Sequence, residues 1–386
     1  MPFIKGKHIS QGFVDLGNCD YISHSDHLKV IARSKPEKGD ILFSNIGSVG
    51  DTAFINTSTE FSIKNVALLK PDLTKVNGKY LYYHVIGPTF QEGIIRRRSG
   101  SAQPFISLDM LRNFEITYLS EKSTQDKIAA ILSAYDDLIE NNTRRIQILE
   151  EMAQALYREW FVNFRFPGHE KSGMVESEVG LIPEGWEVVA FTEVAEVLSG
   201  GTPQTNNIDY WGGSIPFFTP KDVAASFYVF ETERRITEIG LSKCSSKLYG
   251  FDIVFITARG TVGQVVMPAV PMAMSQSCYA LKSRLGAYPL FLFMQTRACV
   301  DMLKQNAHGA VFDTIIVDTF RKLRVVRPKV ENIRQFELSA KPFFDQMKNL
   351  LGKNRNLRQT RDLLLPKLIS GEVDVAELDI MGMQKE

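Results

Sequence analysis

The stretch from Thr124 to Trp160 constrains this chain more than any other part of it. Residues recur there at alternating steps of four and three, through Ile128, Leu132, Tyr135, Ile139, Asn142, Ile146, Leu149, Ala153, Leu156 and Trp160. Nearly all are apolar, and the spacing is that of a coiled-coil seam. Neither Gly nor Pro interrupts the run, Ser123 with Asp126 offers a capping-box-like start, and Pro167-Gly168 closes the region beyond it. At roughly 1.5 Å per residue the expected rod is on the order of 50 Å long, more than one compact domain needs.

An apolar seam requires a partner, and the chain contains one. Stepping forward by 208 residues from each seam position gives Phe336, Ala340, Phe343, Met347, Leu350, Asn354, Leu357, Arg361, Leu364 and Leu368 without a gap. Asn142 interrupts the first seam, Asn354 and Arg361 the second; a single polar seam residue fixes register at a cost in stability. Pro342 sits early in the second run, so a kink there, or a helix that starts at Pro342, is expected.

The segments between the rods repeat as well. Pro2-Phe3-Ile4-Lys5-Gly6-Lys7-His8-Ile9 aligns with Pro216-Phe217-Phe218-Thr219-Pro220-Lys221-Asp222-Val223. Gly39 to Phe43 answers Gly250 to Phe255, and Gly47-Ser48-Val49-Gly50 answers Gly260-Thr261-Val262-Gly263, both reading as apolar strands that end in a glycine turn. Val66 to Lys70 matches Cys278 to Lys282 as a further buried strand. The order is globe, rod, globe, rod. The second globe also has Leu181-Ile182-Pro183-Glu184-Gly185-Trp186 and Gly200-Gly201-Thr202-Pro203, with no counterpart ahead of Pro2. The first globe is thus expected to lack an element, which the alternating tail Glu372-Val373-Asp374-Val375 is placed to supply as an edge strand.

With 386 residues the chain exceeds one core, and 44% hydrophobic with 23% charged residues is an ordinary soluble composition. Met1 to Lys5 has no apolar core of a signal peptide and no run is long enough to span a bilayer, so a cytoplasmic protein is expected. Cys19, Cys244, Cys278 and Cys299 show no metal-binding spacing and read as reduced thiols. The net charge of +1 hides a partition. Residues 1–120 carry 14 basic and 11 acidic side chains and residues 186–330 carry 15 and 12, whereas 121–185 carry 7 and 12 and 331–386 carry 9 of each. Basic globes and non-basic connectors fit a polyanion held by the globes and a protein held by the rods.

No GxxxxGK[ST] loop, no Asn-Pro-Pro-Tyr or Asp-Pro-Pro-Tyr set and no HExxH motif occurs in the sequence, so nothing in it suggests a nucleotide, methyl-transfer or metal site. The residues suited to a polyanion such as a nucleic acid lie in polar loops. In the first globe they are Lys5, Lys7, Asn45, Ser48, Arg96, Arg97, Arg98, Ser101 and Gln103. In the second they are Lys221, Thr257, Arg259, Thr261, Lys304, Asn306 and His308. Lysines and arginines there would hold phosphates, and arginine, glutamine and asparagine could read base edges. The aromatic cluster Tyr157, Trp160, Phe161 and Phe164 at the end of the first rod is either a partner-docking surface or packing against the neighbouring globe.

These motifs carry a resemblance over nearly the whole chain. Asn141-Asn142, Leu149 to Leu156 and Trp160-Phe161-Val162 in the first rod, Leu357, Arg361 to Leu368 and Ser370-Gly371-Glu372 in the second, and Leu181 to Trp186 resemble the specificity (S) subunits of type I restriction-modification systems. The resemblance implies an α+β fold. Two mixed α/β target-recognition domains would be joined by two long antiparallel helices in a pseudo-two-fold tandem repeat. The expected parts are a first target-recognition domain at 1–122, a first helical spacer at 123–166, a linker at 167–185, a second recognition domain at 186–330, a second spacer at 331–371 and a tail at 372–386. It further implies a subunit without catalysis of its own. Each globe would read one half of a split DNA site, and the helices would fix the gap and hold two methyltransferase (M) subunits that motor-nuclease (R) subunits join. S-adenosylmethionine, ATP and Mg2+ would belong to those partners. Two other readings stand beside it: a stand-alone DNA-modifying enzyme, separated by assaying the purified chain with S-adenosylmethionine and with magnesium, and a structural coiled-coil scaffold that binds proteins, separated by protection of a split DNA site.

Overall fold

The long helices form where the seam spacing places them. In the computed structural model, which describes residues 1–10, 12–99, 104–223, 226–307 and 314–379, they run Lys122–Tyr157 and Val330–Ile369. The first begins ahead of the expected cap: Ser123 and Thr124 donate their hydroxyls back to the Glu121 carboxylate at 2.5 and 2.9 Å. Its last turn widens into a π-helical turn over Arg158–Val162. Pro342 does not start the second helix, which begins twelve residues earlier at Val330 and continues through it.

The chain divides into two compact units, Met1–Glu140 with Arg355–Glu386, and Asn141–Asn354. Each holds one half of both helices. In the first unit Ile128, Ala129 and Leu132 share an apolar cluster with Leu365, Leu368 and Ile369, the start of one helix on the end of the other. In the second, Ile146 and Ala153 share one with Phe336, Ala340, Phe344, Met347 and Leu350, again antiparallel. The polar seam residues answer one another. Asn142 donates from Nδ2 to Asn354 Oδ1 at 2.9 Å, and Asn354 Nδ2 reaches Thr143 Oγ1 at 3.2 Å. Arg361 donates to Asp136 at 2.5 Å, and the other oxygen of Asp136 accepts the Tyr83 hydroxyl at 2.6 Å. Buried polar groups are stable when paired in this way and costly when one partner is removed.

The globular part of each unit is built on the same strand pairings. In the first, Ile41–Phe43 pairs antiparallel with Thr52–Phe54 on one side and Ala67–Leu69 on the other, while Pro2–Ile4 runs parallel to Ser62–Ile63. In the second, Ile253–Thr257 pairs with Val265–Pro268 and Cys278–Ser283, and Trp211–Phe218 runs parallel to Ala273–Met274. The registers correspond residue for residue: Leu42 faces Leu68 as Phe255 faces Ala280, and Ile4 faces Ile63 as Phe218 faces Met274. Phe43, Phe255 and Phe218 are fully buried, so a slip of one residue would turn apolar side chains out to water.

The second unit has strands that the first does not show. Ala195–Ser199 covers the outer edge of Cys278–Ser283, and Glu187–Ala190 pairs with Arg324–Arg327. Among the described residues of the first unit no strand covers Ala67–Leu69. The tail does not form the expected edge strand there. It packs instead through Val375, buried beside Ile41, Val76 and Tyr80, while Lys127 donates to the Ala376 carbonyl. The alternation of Glu372 to Val375 thus serves one anchoring side chain rather than a ladder.

Replacing Val375 by Asp would bury an unpaired carboxylate and should destabilise the first unit by several kcal/mol. Denaturant unfolding should show an early transition with the second unit's transition unmoved. A second expectation concerns pH. Glu337 accepts the backbone N–H groups of Leu290 and Phe291 at 3.1 and 3.0 Å, and burial pushes its carboxyl from 4.5 up to about 7 against those bonds. The folded chain holds this proton more tightly than the unfolded chain, so its contribution is present below 4.5 and is lost as pH rises through about 7. Thermal unfolding of Glu337→Gln against the native chain over that range should show a flatter pH dependence in the variant.

Candidate nucleic-acid interface

Three short segments converge in the first unit around a cleft of about 420 Å³. They are the 3-10 turn after the strand Pro2–Ile4, which brings Lys5, Gly6 and Lys7, the glycine turn Ile46 to Ser48, and the connection Lys64-Asn65. Each is fixed by backbone hydrogen bonds. His8 N–H donates to Lys5 O at 2.9 Å, and Lys5 N–H donates to His8 Nδ1 at 3.1 Å. Gly50 N–H donates to Ser44 O at 3.1 Å and Lys64 N–H to Ile4 O at 2.9 Å.

The second unit repeats this frame. Asp222 N–H donates to Thr219 O at 3.0 Å, and Thr219 N–H donates to Asp222 Oδ2 at 2.8 Å, so Asp222 does for its turn what His8 does for the first. Gly263 N–H donates to Thr257 O at 2.9 Å and Ser275 N–H to Phe218 O at 2.8 Å. Gly47 and Gly260 have φ of 80° and 78°, which a side chain would disfavour. Gly50 and Gly263 lie under a long side chain: a Cβ there would come within 2.6 Å of Gln91 Oε1 and 2.7 Å of Lys304 Cε. The connection opposite is one residue longer in the second unit, Ser275-Gln276-Ser277 against Lys64-Asn65.

The charge around the first cleft is positive with one acidic counterweight. Lys5 Nζ lies 2.8 Å and Lys7 Nζ 3.8 Å from Asp20 Oδ2, and the Lys5 hydrogen bond holds the Asp20 carboxyl below its usual range. Lys64 is exposed at the rim. In the second unit Lys221 and Arg259 are exposed at the matching turns. The fold thus presents fixed backbone loops with cationic and amide side chains on them, an arrangement suited to a polyanion with readable edges.

The structure sorts the sequence candidates. Lys5, Lys7 and Ser48 line the first cleft. Lys221, Arg259 and Thr261 stand on the matching segments of the second, with Thr261 Oγ1 donating to Pro220 O at 3.3 Å. Two candidates are structural instead. Thr257 is fully buried, donating its hydroxyl to Thr261 O and accepting from Gln264 N–H at 3.0 Å. Asn45 is buried with its amide on Ile106 O at 3.3 Å. Arg96, Arg97 and Arg98 do not line the cleft but stand at the end of the helix Pro88–Arg97, and Ser99 after them bridges to Phe105, which bridges in turn to Ile46 of the cleft. Arg96 pairs with Glu92 at 3.2 Å, Arg97 lies over the Phe114 ring at 4.8 Å, and Arg98 is exposed. Lys304 covers the second glycine turn, and Asn306 follows on the same helix, Val300–Ala307. Ser101, Gln103 and His308 lie outside the described residues. Sequence reasoning missed Lys64, Asn65, Gln91, Gln276 and Ser277; the repeat alignment could have found the connection, since it leads directly into a strand recognised as repeated.

The family of type I restriction modification DNA specificity domains matches residues 1–151 and 183–339. The chain belongs to that family. Among curated specificity subunits, that of the type I restriction enzyme HindI from Haemophilus influenzae is 24% identical, over 91% of this chain and 90% of that protein. That of MjaIX from Methanocaldococcus jannaschii is 27% identical, over 94% and 86%. The crystal structure of the type I restriction-modification S subunit from M. genitalium has the same fold, with a TM-score of 0.57 and 15% identity over 95% of this chain and 88% of that one. No helix among the described residues of this specificity subunit is long and apolar enough to cross a membrane. All four cysteines are free thiols, and burial pushes Cys278 and Cys299 up to about 12.

The aromatic cluster of the first helix does not form a docking surface. Tyr157, Trp160 and Phe161 are more than nine-tenths buried in the core of the second unit. Phe161 meets Phe291 at 4.9 Å and Phe336 at 5.2 Å, edge to face, and Phe164 meets Trp186 at 5.6 Å. Rings of this size bury too much apolar area to stay in water when a core lies beside them. Trp160→Ala should therefore cost about 3–5 kcal/mol of stability. Chemical unfolding is the measurement, and a fold as stable as the native chain's would return these rings to a surface role.

Proposed function

We propose that this specificity subunit reads a split, asymmetric DNA site and does no chemistry of its own. Residues 1–120 read one half and residues 186–330 the other. The paired helices fix the number of base pairs between the halves and hold two methyltransferase subunits, with motor-nuclease subunits joining that complex. S-adenosylmethionine, ATP and Mg2+ act on those partners. The observation that carries this reading is the repeated loop frame. Two recognition frames built on shared backbone bonds but with different side chains suit two different half-sites. The family membership supports DNA binding and assembly with other subunits. The helix surface left open in the second unit suits a protein partner: Arg145, Ile148, Leu149, Pro342 and Gln346 line a shallow groove there.

The test is genomic methylation mapped by single-molecule sequencing in cells carrying this chain and its methyltransferase. A bipartite motif with unlike halves is expected, and exchanging residues 1–120 for those of a relative should change one half and leave the other. A continuous motif, or a change in both halves, would overturn the reading.

A further inference from the structure

We infer that the cleft of the first unit and the matching frame of the second are where bases are read, with Asn65 the specificity-determining residue of the first unit and Arg259, whose N–H donates to Ser277 O at 3.3 Å, that of the second. The inference rests on the function proposed above and assigns it to side chains. The two frames share the backbone hydrogen bonds of the 3-10 turn, the glycine turn and the start of the connection, whereas the second connection is one residue longer and there Ala258 and Arg259 N–H donate to Ser277 O at 2.8 and 3.3 Å. On the shared part of the frame, a difference in what the units hold comes from side chains. Lys7 and Lys221 occupy the same place in the two 3-10 turns and both are exposed. A cation kept in both frames suits the contact common to every site, a phosphate. At the facing positions the residues diverge: Ile46 against Arg259 on the glycine turn, and Lys64-Asn65 against Ser275-Gln276-Ser277 on the connection. Positions that change on a fixed frame are those able to carry sequence preference.

Asn65 has the stronger individual case. It has φ of 56°, one of two non-glycine residues in the left-handed region among those described. That conformation is disfavoured for a residue with a side chain, though Asn tolerates it better than most. It lines the cleft, is exposed, and its side-chain amide has no hydrogen-bond partner among the described residues. A carboxamide offers a donor and an acceptor side by side, the pair that matches N6 and N7 of adenine, whereas the Arg259 guanidinium matches O6 and N7 of guanine. The two clefts would then discriminate different bases, as an asymmetric site requires.

The experiment uses the full chain co-expressed with its methyltransferase, with methylated motifs read genome-wide. Asn65→Gly removes the amide and also relieves the left-handed backbone, so it should fold at least as well as the native chain, as thermal unfolding will show. The expected result is that an adenine position in one half of the motif becomes degenerate, with discrimination falling about tenfold to a hundredfold, while the other half is unchanged. Arg259→Ala should relax a guanine position in the opposite half. Lys7→Ala should lower methylation at all sites without altering the motif. An unchanged motif in a folded, active Asn65→Gly complex would overturn the inference, as would relaxation in both halves. If the exchange of residues 1–120 alters one half while Asn65→Gly alters nothing, only this assignment fails; if the exchange itself alters nothing, the functional reading fails with it.

Discussion

The antiparallel seam between the two long helices is the interaction on which the rest of the chain depends. Neither helix could stand in water alone, because each carries apolar side chains at every third or fourth position and propensity alone rarely sustains such a length. Their union buries Ile128, Leu132, Phe336, Ala340, Met347 and Leu368 almost completely. The polar members set the register. Asn142 and Asn354 satisfy each other at one level, and Arg361 finds Asp136 at another. A shift by one turn would leave an amide or a guanidinium buried without its acceptor, a penalty larger than the gain from any single apolar contact.

Because both halves of the seam belong to a tandem repeat, each compact unit is completed by helix segments far apart in sequence. The same globe therefore appears twice on the same support. The glycine turns, the 3-10 turns and the first residues of the connections are held by matching backbone bonds, so the two frames differ in the chemistry of their rims and in the longer second connection. A rigid frame with exchangeable rim residues lets recognition change without altering stability, since exposed loop side chains contribute little to folding. The burial of Thr257 and Asn45 fits this division: they hold the frame, and Ser48, Arg259 and Thr261 stand on its surface.

Much of this was legible in the residues. The spacing from Ile128 to Trp160, its echo from Phe336 to Leu368, and the paired glycine turns specify the rods, the repeat and the strands. What misled was local pattern without knowledge of neighbours. Glu372 to Val375 alternates like a strand, yet only Val375 is buried and no ladder forms. Tyr157, Trp160 and Phe161 left docking and core packing both open, because their partners, Phe291 and Phe336, lie more than a hundred residues away. Arg96, Arg97 and Arg98 form a charge run at the end of a helix, next to the cleft lining rather than in it.

The sequence by itself determined that two long helices must pair and that the globes are copies, because periodicity and repetition are properties of order along the chain. The tertiary structure decided which loops face one another across a cleft. Lys7, Ser48 and Asn65 are separated by tens of residues and by different strands, and only the registers of Ile4 on Ile63 and Phe43 on Ala67 bring them to one rim. Proximity of that kind comes from hydrogen bonding between distant segments, which leaves no periodic trace in the residues that benefit from it.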